Sequence, residues 1–292
     1  MNFEKYRAEI TGNEKFSILI PTWNNLDYLK LCIESIHKNS RFAHQIIVHV
    51  NEGNDGTVDW LKEQNISFTR TRSNAGICFG LNLARTLVET DYILYMNDDM
   101  YALPDWDKYL LEEIEKIGRK MFFLSATMIE PKTNNSAVLE FDAGDDLNSF
   151  NEDKLLANYS KLEKKDWSGA TWPPNIVHKD TWDLVGGYSV EFSPGMYSDP
   201  DFSMKLWQAG VRYFKGVGKS RVYHFASKTT KRLGKTGGYY KFIDKWGITA
   251  KIFAEKYLHR GEEFSGELPE PELAFGDKLH SQIKKFMNGF RK

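Results

Sequence analysis

Short apolar runs alternate with amphipathic stretches through the first hundred residues. Phe16-Ser17-Ile18-Leu19-Ile20 is a compact apolar run closed by Pro21. It is too short for a helix and ends on a breaker, so it predicts a buried strand. Leu26, Leu29, Ile33 and Ile36 then recur at spacings of three and four, the period of a helix with one buried face. Gln45 to Val50 predicts a second strand, followed by the turn-rich loop Asn51-Glu52-Gly53-Asn54-Asp55-Gly56. A short helix is predicted over Val58 to Glu63 and a third strand over Ser67 to Thr71. Another helix opens at Asn74-Ala75-Gly76 and runs to about Glu89, and a fourth strand, Tyr92 to Met96, stops at Asn97-Asp98-Asp99. The residues before Phe16 are polar and predict only a short lead-in.

This alternation predicts an α/β fold with a Rossmann-like, mostly parallel sheet flanked by helices. Ligands of such sheets bind outside the carboxyl ends of the strands. Three polar clusters fall there, Pro21-Thr22-Trp23-Asn24, Asn51 to Asp55, and Asn97-Asp98-Asp99, and are expected to line one crevice.

The second half is less regular. Phe122 to Ile129 predicts a strand, Asp142 to Asp153 an acidic loop, and Pro200 to Ala209 a helix stopped by Gly210. Val222 to Phe225 predicts a short strand, and the basic, Gly-rich stretch from Lys228 to Gly238 a loop. The tail ends in a basic helix with Leu279, Ile283, Phe286, Met287 and Phe290 on one face. Such a helix either lies on an anionic membrane or packs on the domain or a second subunit.

The chain has 292 residues, room for a single elaborated α/β unit. A net charge of −1 argues against a broad basic surface, so no nucleic-acid partner is expected. No apolar run approaches a membrane span, and the N-terminus lacks the apolar stretch of a secretory signal. Cys32 and Cys78 are too few for a disulfide framework. A cytoplasmic setting is expected, with peripheral contact at the inner membrane face as an extension of it. Aromatics make up 14% of the chain, and aromatic rings suit the faces of sugars.

Four features carry candidate chemistry. Asp98 and Asp99 at a strand end are either an exposed turn or a site for a divalent ion on a diphosphate. Asn74-x-Gly76 is either a plain helix cap or a phosphate-binding helix start. In Ser198-Asp199-Pro200-Asp201, Asp199 is either an N-cap or a general base, with Asp201 in the first helical turn. His224 is either a structural core residue or the completion of a carboxylate-based metal site.

In order and spacing these segments resemble a family 2 glycosyltransferase of the GT-A fold, from about Phe16 to Phe225. Ser17 to Asn24 resembles that family's first strand and nucleotide-binding loop. Ile46 to Thr57 resembles its second strand and acidic turn, with Glu52 where an Asp usually reads the base. Asn74-Ala75-Gly76 through Asn82 resembles the helix that follows, and Asn97-Asp98-Asp99 its Asp-x-Asp metal motif with Asn97 in place of the first Asp. Gly186-Gly187-Tyr188 and Ser198-Asp199 resemble the acceptor-side segment, with Ser198 in place of a Glu. The Gln-x-x-Arg-Trp motif of processive synthases is missing.

The resemblance implies an inverting transferase moving a sugar from a nucleotide diphosphate-sugar to a hydroxyl of a glycan or glycolipid, in surface polysaccharide, lipopolysaccharide or other glycan assembly. It implies Asp199 as catalytic base. Donor contacts are implied from Pro21, Thr22, Asn24, Glu52, Asn74, Gly76, Asn97 and Asp98. Mn²⁺ or Mg²⁺ is implied on Asp99, His224 and Asn97. UDP is the expected donor base, with dTDP and GDP as alternatives. Trp172 and Trp182 are candidates for an acceptor platform, and Lys228, Lys231, Arg232 and Lys235 for a closing loop. The catalytic domain is expected over 1–227, with a nucleotide half at about 14–100 and an acceptor half at 101–227, and an extension over 228–292. The rival from another class is a silent nucleotide-sugar- or carbohydrate-binding protein.

Overall fold

The computed structural model describes residues 2–225 and 237–289. In chain order, β1 (Phe3–Tyr6) and β2 (Phe16–Trp23) lead into α1 (Leu26–Asn39), β3 (Gln45–Asn51), α2 (Thr57–Glu63), β4 (Ser67–Thr71) and α3 (Gly76–Arg85). Then come β5 (Tyr92–Tyr95), β6 (Met100–Ala102), α4 (Trp106–Ile117), β7 (Phe123–Glu130), β8 (Leu139–Glu140), α5 (Glu152–Asn158), β9 (Trp167–Ser168) and β10 (Asn175–His178). The chain continues through α6 (Lys179–Val185), α7 (Ser198–Gln208), β11 (Phe214–His224), α8 (Gly238–Trp246), α9 (Ala250–Ile252) with a π-helical turn over Phe253–Tyr257, and α10 (Phe275–Gly289).

The described strands form one sheet in the order β1-β4-β3-β2-β5-β10-β7-β11-β6, with β8 beside β7 and β9 beside β11. The sheet is mostly parallel. The pairings β2–β3, β3–β4, β2–β5, β7–β11 and β7–β8 are parallel, and β10 runs antiparallel to both β5 and β7. Two antiparallel steps restore direction, so β7 and β11 point the same way as β2, β3 and β5. The carboxyl ends of all five therefore open on the same edge.

Strand alternation places the core on both faces. Ile18 and Ile20 of β2 meet Leu29, Ile33 and Ile36 of α1. Leu19 faces the other way, into a cluster with Leu81 and Ala84 of α3 and Phe202 and Leu206 of α7. Residues beyond the boundary expected at 227 also fill this second core: Phe242, Ile248, Ile252, Phe253 and Leu258 pack there.

Several boundaries differ from the sequence expectation. β2 runs past Pro21 to Trp23, because pairing with β5 stops at Leu19 while pairing with β3 continues. Leu19 O accepts from Met96 N on the β5 side, so strand alternation turns the Pro21 nitrogen to that unpaired side, where no donor is needed. The lead-in contains an antiparallel edge strand, Phe3–Tyr6 on β4. Helix α3 ends at Arg85 rather than near Glu89, since Thr86, Leu87 and Val88 bond three residues back instead of four. β11 is eleven residues long although its first half carries two glycines and two lysines. There the buried Lys215 is held at 2.8 Å by both Glu113 and Asp166, and Gly216 leaves room for the Trp167 ring.

Candidate active site

One cavity of about 380 Å³ opens at the shared carboxyl edge of the strands. Pro21 and Thr22 from β2, Asn97, Asp98 and Asp99 after β5, Glu130 ending β7 and His224 ending β11 line it. Asn74, Gly76, Trp172, Tyr197, Ser198 and Asp199 close it from the loop side.

The acidic turn is placed by the strand that follows it. Leaving β5, the chain crosses the sheet to pair β6 with β11, with Met100 opposite His224. Phe225 N donates to Asp99 O at 3.1 Å, which fixes the turn beside β11. His224 Nε2 lies 3.5 Å from Asp99 Oδ1, and His224 Nδ1 lies 2.7 Å from Glu130 Oε1. Burial alone would lower the proton affinity of His224, but Asp99 and Glu130 outweigh it and raise the pKa to about 10. Asp98 is buried and accepts a 2.6 Å hydrogen bond from Thr22 Oγ1. Asn97 Oδ1 accepts from Tyr95 OH at 2.7 Å.

Among the described residues, no three His, Cys, Asp or Glu side chains gather as a metal cage. Asp99 and His224 do form a pair, and His224 Nε2 is buried without a hydrogen-bond partner. A buried imidazole nitrogen beside a carboxylate, with the other nitrogen held by Glu130, fits a carboxylate–histidine ligand arrangement. An ion there would need the rest of its oxygens from a ligand.

Asn74 and Gly76 both reach the cavity, but the helix start does not offer its amides. Asn51 Oδ1 accepts from Ala75 N at 2.8 Å, Asn74 Oδ1 from Gly76 N at 2.9 Å, and Pro194 O from Ile77 N at 3.0 Å. The phosphate-binding helix start weighed for this motif is therefore closed by the protein's own acceptors. The expected side-chain N-cap is missing too, since Ala75 occupies that position. Gly76 has φ +79°, and a Cβ there would lie 2.6 Å from Pro194 Cα, so glycine lets the two loops meet.

Asn24 and Glu52 sit together rather than on the cavity wall. Both have positive φ, at 47° and 66°, and Asn24 Nδ2 donates to Glu52 Oε2 at 3.0 Å. Asn54 N donates to Asn24 Oδ1 at 2.9 Å, so this pair joins the loops that follow β2 and β3.

Asp199 is not a helix cap. Tyr197 takes the N-cap position with φ 71°, and Ser198 Oγ donates back to Gly195 O at 2.6 Å. Asp199 thus falls within the first turn and faces the cavity. Burial raises its pKa to about 7, and a 3.3 Å hydrogen bond from Tyr188 OH offsets this only in part. Tyr188 is held flat against Phe202, with ring centroids 4.5 Å apart. Two residues on, Asp201 is fully buried and takes bonds from Trp246 Nε1 at 2.8 Å and Lys245 Nζ at 2.9 Å.

The two candidate tryptophans separate. Trp172 lines the cavity, backed by Trp167 at 5.7 Å and by the Arg260 guanidinium at 4.9 Å. Trp182 is a core residue packed on Phe202 and Tyr188. Lys228, Lys231, Arg232 and Lys235 lie outside the described residues. Glu130 and the Tyr188–Asp199 contact were not anticipated. Glu130 ends a predicted strand, so the strand-end rule would have reached it had the strand been extended by one residue.

A parallel sheet with acidic and histidine side chains gathered at its carboxyl edge, and a separate carboxylate on a following helix, defines a GT-A-type architecture. The glycosyl transferase family 2 profile matches residues 17–169, more than half the chain, and the protein belongs to that family. No curated protein matches it. Among solved structures, S. aureus TarS 1–349 aligns with a TM-score of 0.59 at 13% identity, over 95% of this chain and 72% of that one. TarS 1–349 in complex with UDP-GlcNAc gives 0.58 at 14%, over 95% and 73%. GalNAc-T7 with UDP, GalNAc and Mn²⁺ gives 0.55 at 13%, over 84% of this chain and 53% of that one. At these identities the likeness is one of fold.

Proposed function

We propose that this protein is an inverting glycosyltransferase that moves a sugar from a nucleotide diphosphate-sugar to a hydroxyl of a glycan or glycolipid acceptor. The observation that carries this reading is Asp199, a carboxyl with its pKa raised to about 7, in the same cavity as Asp98, Asp99 and His224. A base poised near neutral pH suits removal of a hydroxyl proton during attack. The acceptor oxygen bonds to the anomeric carbon and its proton passes to Asp199. The bond from that carbon to the diphosphate oxygen breaks, and its electron pair leaves with the diphosphate. One such displacement inverts the anomeric centre.

The strand-end residues would serve the donor. Thr22 holds Asp98 beside the ribose and diphosphate position, and Pro21, Asn74, Gly76 and Asn97 shape the same wall. Asp99, His224 and Asn97 would hold Mg²⁺ or Mn²⁺, which when bound would supply positive charge against the negative charge developing on the leaving diphosphate. The Asn24–Glu52 pair stands at the rim for the nucleoside. Trp172 offers an aromatic face to the acceptor. UDP is the favoured base because structures of the same fold carry it: TarS 1–349 in complex with UDP, and GalNAc-T7 with UDP, GalNAc and Mn²⁺. The product class is surface polysaccharide, lipopolysaccharide or another assembled glycan.

A thermal-shift panel of UDP, GDP, dTDP and CDP, each with Mn²⁺, Mg²⁺ or EDTA, tests the donor half of this reading. A ligand that binds only the folded state raises the midpoint by mass action. The expected result is a rise with UDP that Mn²⁺ or Mg²⁺ enhances and EDTA removes. A rise unchanged by EDTA would remove the metal from the account, and no rise with any nucleotide would overturn it.

A further inference from the structure

Helix α10 turns its polar side to the protein and its apolar side outward. Ser281 and Asn288 are buried against the domain, and Asn288 Nδ2 donates to Asp244 Oδ2 of α8 at 2.9 Å. At about 100° per residue these two positions lie within roughly 20° of each other on the helix surface. Phe275, Leu279, Ile283, Phe286 and Met287 fill an arc of about 120° on the opposite side. All five are exposed, Phe275 at 80% and Phe286 at 68%. A contiguous apolar stripe of this kind on a folded domain marks a docking surface.

Charge identifies what docks. The chain as a whole carries a net charge of −1, yet residues 278–292 hold five Lys or Arg and no Asp or Glu. Lys284 and Lys285 lie off the apolar arc, on its flanks. An apolar stripe between basic flanks suits a helix lying in the headgroup layer of an anionic bilayer. A second copy of α10 laid on the same stripe would bring Lys284 and Lys285 of both helices together with only Asp277 on each to offset them, whereas an anionic surface neutralises the lysines. No described helix is long and apolar enough to cross a membrane.

The helix also lies next to the acceptor side of the cavity. It packs on α8, whose Gly238 approaches the Met196 carbonyl so closely that a Cβ would fall 2.3 Å from it. Tyr239 meets Tyr197 edge-on at 5.9 Å, and Lys245 and Trp246 grip Asp201. One helix thus separates α10 from the segment that carries Asp199.

We propose that α10 seats this protein on an anionic lipid surface through its Phe275–Met287 stripe and turns the acceptor side of the cavity toward that surface. The seating stands without the transferase reading; the presentation of a membrane-borne acceptor rests on it.

The experiment is co-sedimentation of the full chain with vesicles of phosphatidylcholine alone or mixed with phosphatidylglycerol, with light scattering of the free protein alongside. The expected result is binding to the mixed vesicles only, weakened by salt. The double variant Ile283→Asp/Phe286→Asp should abolish it, and Lys284→Glu/Lys285→Glu should weaken it at least about tenfold. None of the four positions lines the cavity, so both variants should keep the nucleotide-induced thermal shift of the parent, which separates failure here from failure of the donor reading. Three results would overturn the proposal: no binding to phosphatidylglycerol vesicles, binding undiminished in the aspartate variant, or a parent dimer that the aspartate variant converts to monomer.

Discussion

Two parts of one cavity hold carboxylates in opposite ways. At the strand ends, Asp98 and Asp99 have partners: Thr22 donates to the first, and His224, backed by Glu130, lies against the second. On the loop side, Asp199 has burial and a single long bond from Tyr188. The first arrangement suits groups that are held in place to bind a ligand. The second suits a group that exchanges a proton. Acid–base roles follow from environment rather than from residue type, and in the proposed reading the difference gives donor binding to one side and proton removal to the other. Asp201 sharpens the contrast, because two residues from Asp199 the same side chain is a structural tie between α7 and α8.

The largest expected effect breaks that contrast at its centre. Asp199→Asn should lower transfer by about 10²–10⁴-fold, the usual worth of a positioned base, measured as nucleotide diphosphate release. The same variant should be more stable than the parent at pH 8. A carboxyl whose folded pKa is raised favours the folded state below its unfolded pKa and loses that advantage as pH rises through about 7. Asparagine removes the loss, worth up to ~4 kcal/mol at pH 8 and vanishing below about pH 4. Asp201→Asn should do the reverse, costing about 1–2 kcal/mol in urea unfolding, because buried Asp201 loses its charge pair with Lys245, which is partly exposed and keeps Glu191.

A smaller effect lies in the pH profile. With Asp199 as base, kcat/KM should fall about tenfold per pH unit below roughly 7 and level off above it. A limb near pH 4 would move the base elsewhere. The smallest effect is at Tyr188: its hydroxyl lowers the Asp199 pKa, so Tyr188→Phe should move the acid limb upward by less than about one unit, in proportion to one weak hydrogen bond. Its stacking on Phe202 should keep the fold intact.

Much of the donor side was legible in the sequence because it follows from local pattern. Compact apolar runs ending in Thr22, Asn51 and Asn97 become parallel strands, and parallel strands deliver their ends to one edge. The same rule could not place Asp99 beside His224, since that depends on the three-residue β6 and its antiparallel register with β11. The acceptor side was less legible. Asp199 followed by Pro200 reads locally as a helix cap, and only the left-handed Tyr197 shifts the helix start and turns Asp199 inward. Trp172 and Trp182 share a composition-level signal, yet one meets the cavity and the other the core. Glycines and paired lysines hid the first half of β11, because burial of Lys215 depends on Glu113 and Asp166, far away in sequence.

The most direct test of the account is the protonation of Asp199 itself. Carboxyl ¹³C resonances of aspartate-labelled protein, titrated from pH 4 to pH 9 and assigned by the signal lost in Asp199→Asn, read it without any substrate. The account predicts a midpoint for Asp199 near 7. A midpoint near that of an ordinary aspartate, about 4, would contradict it.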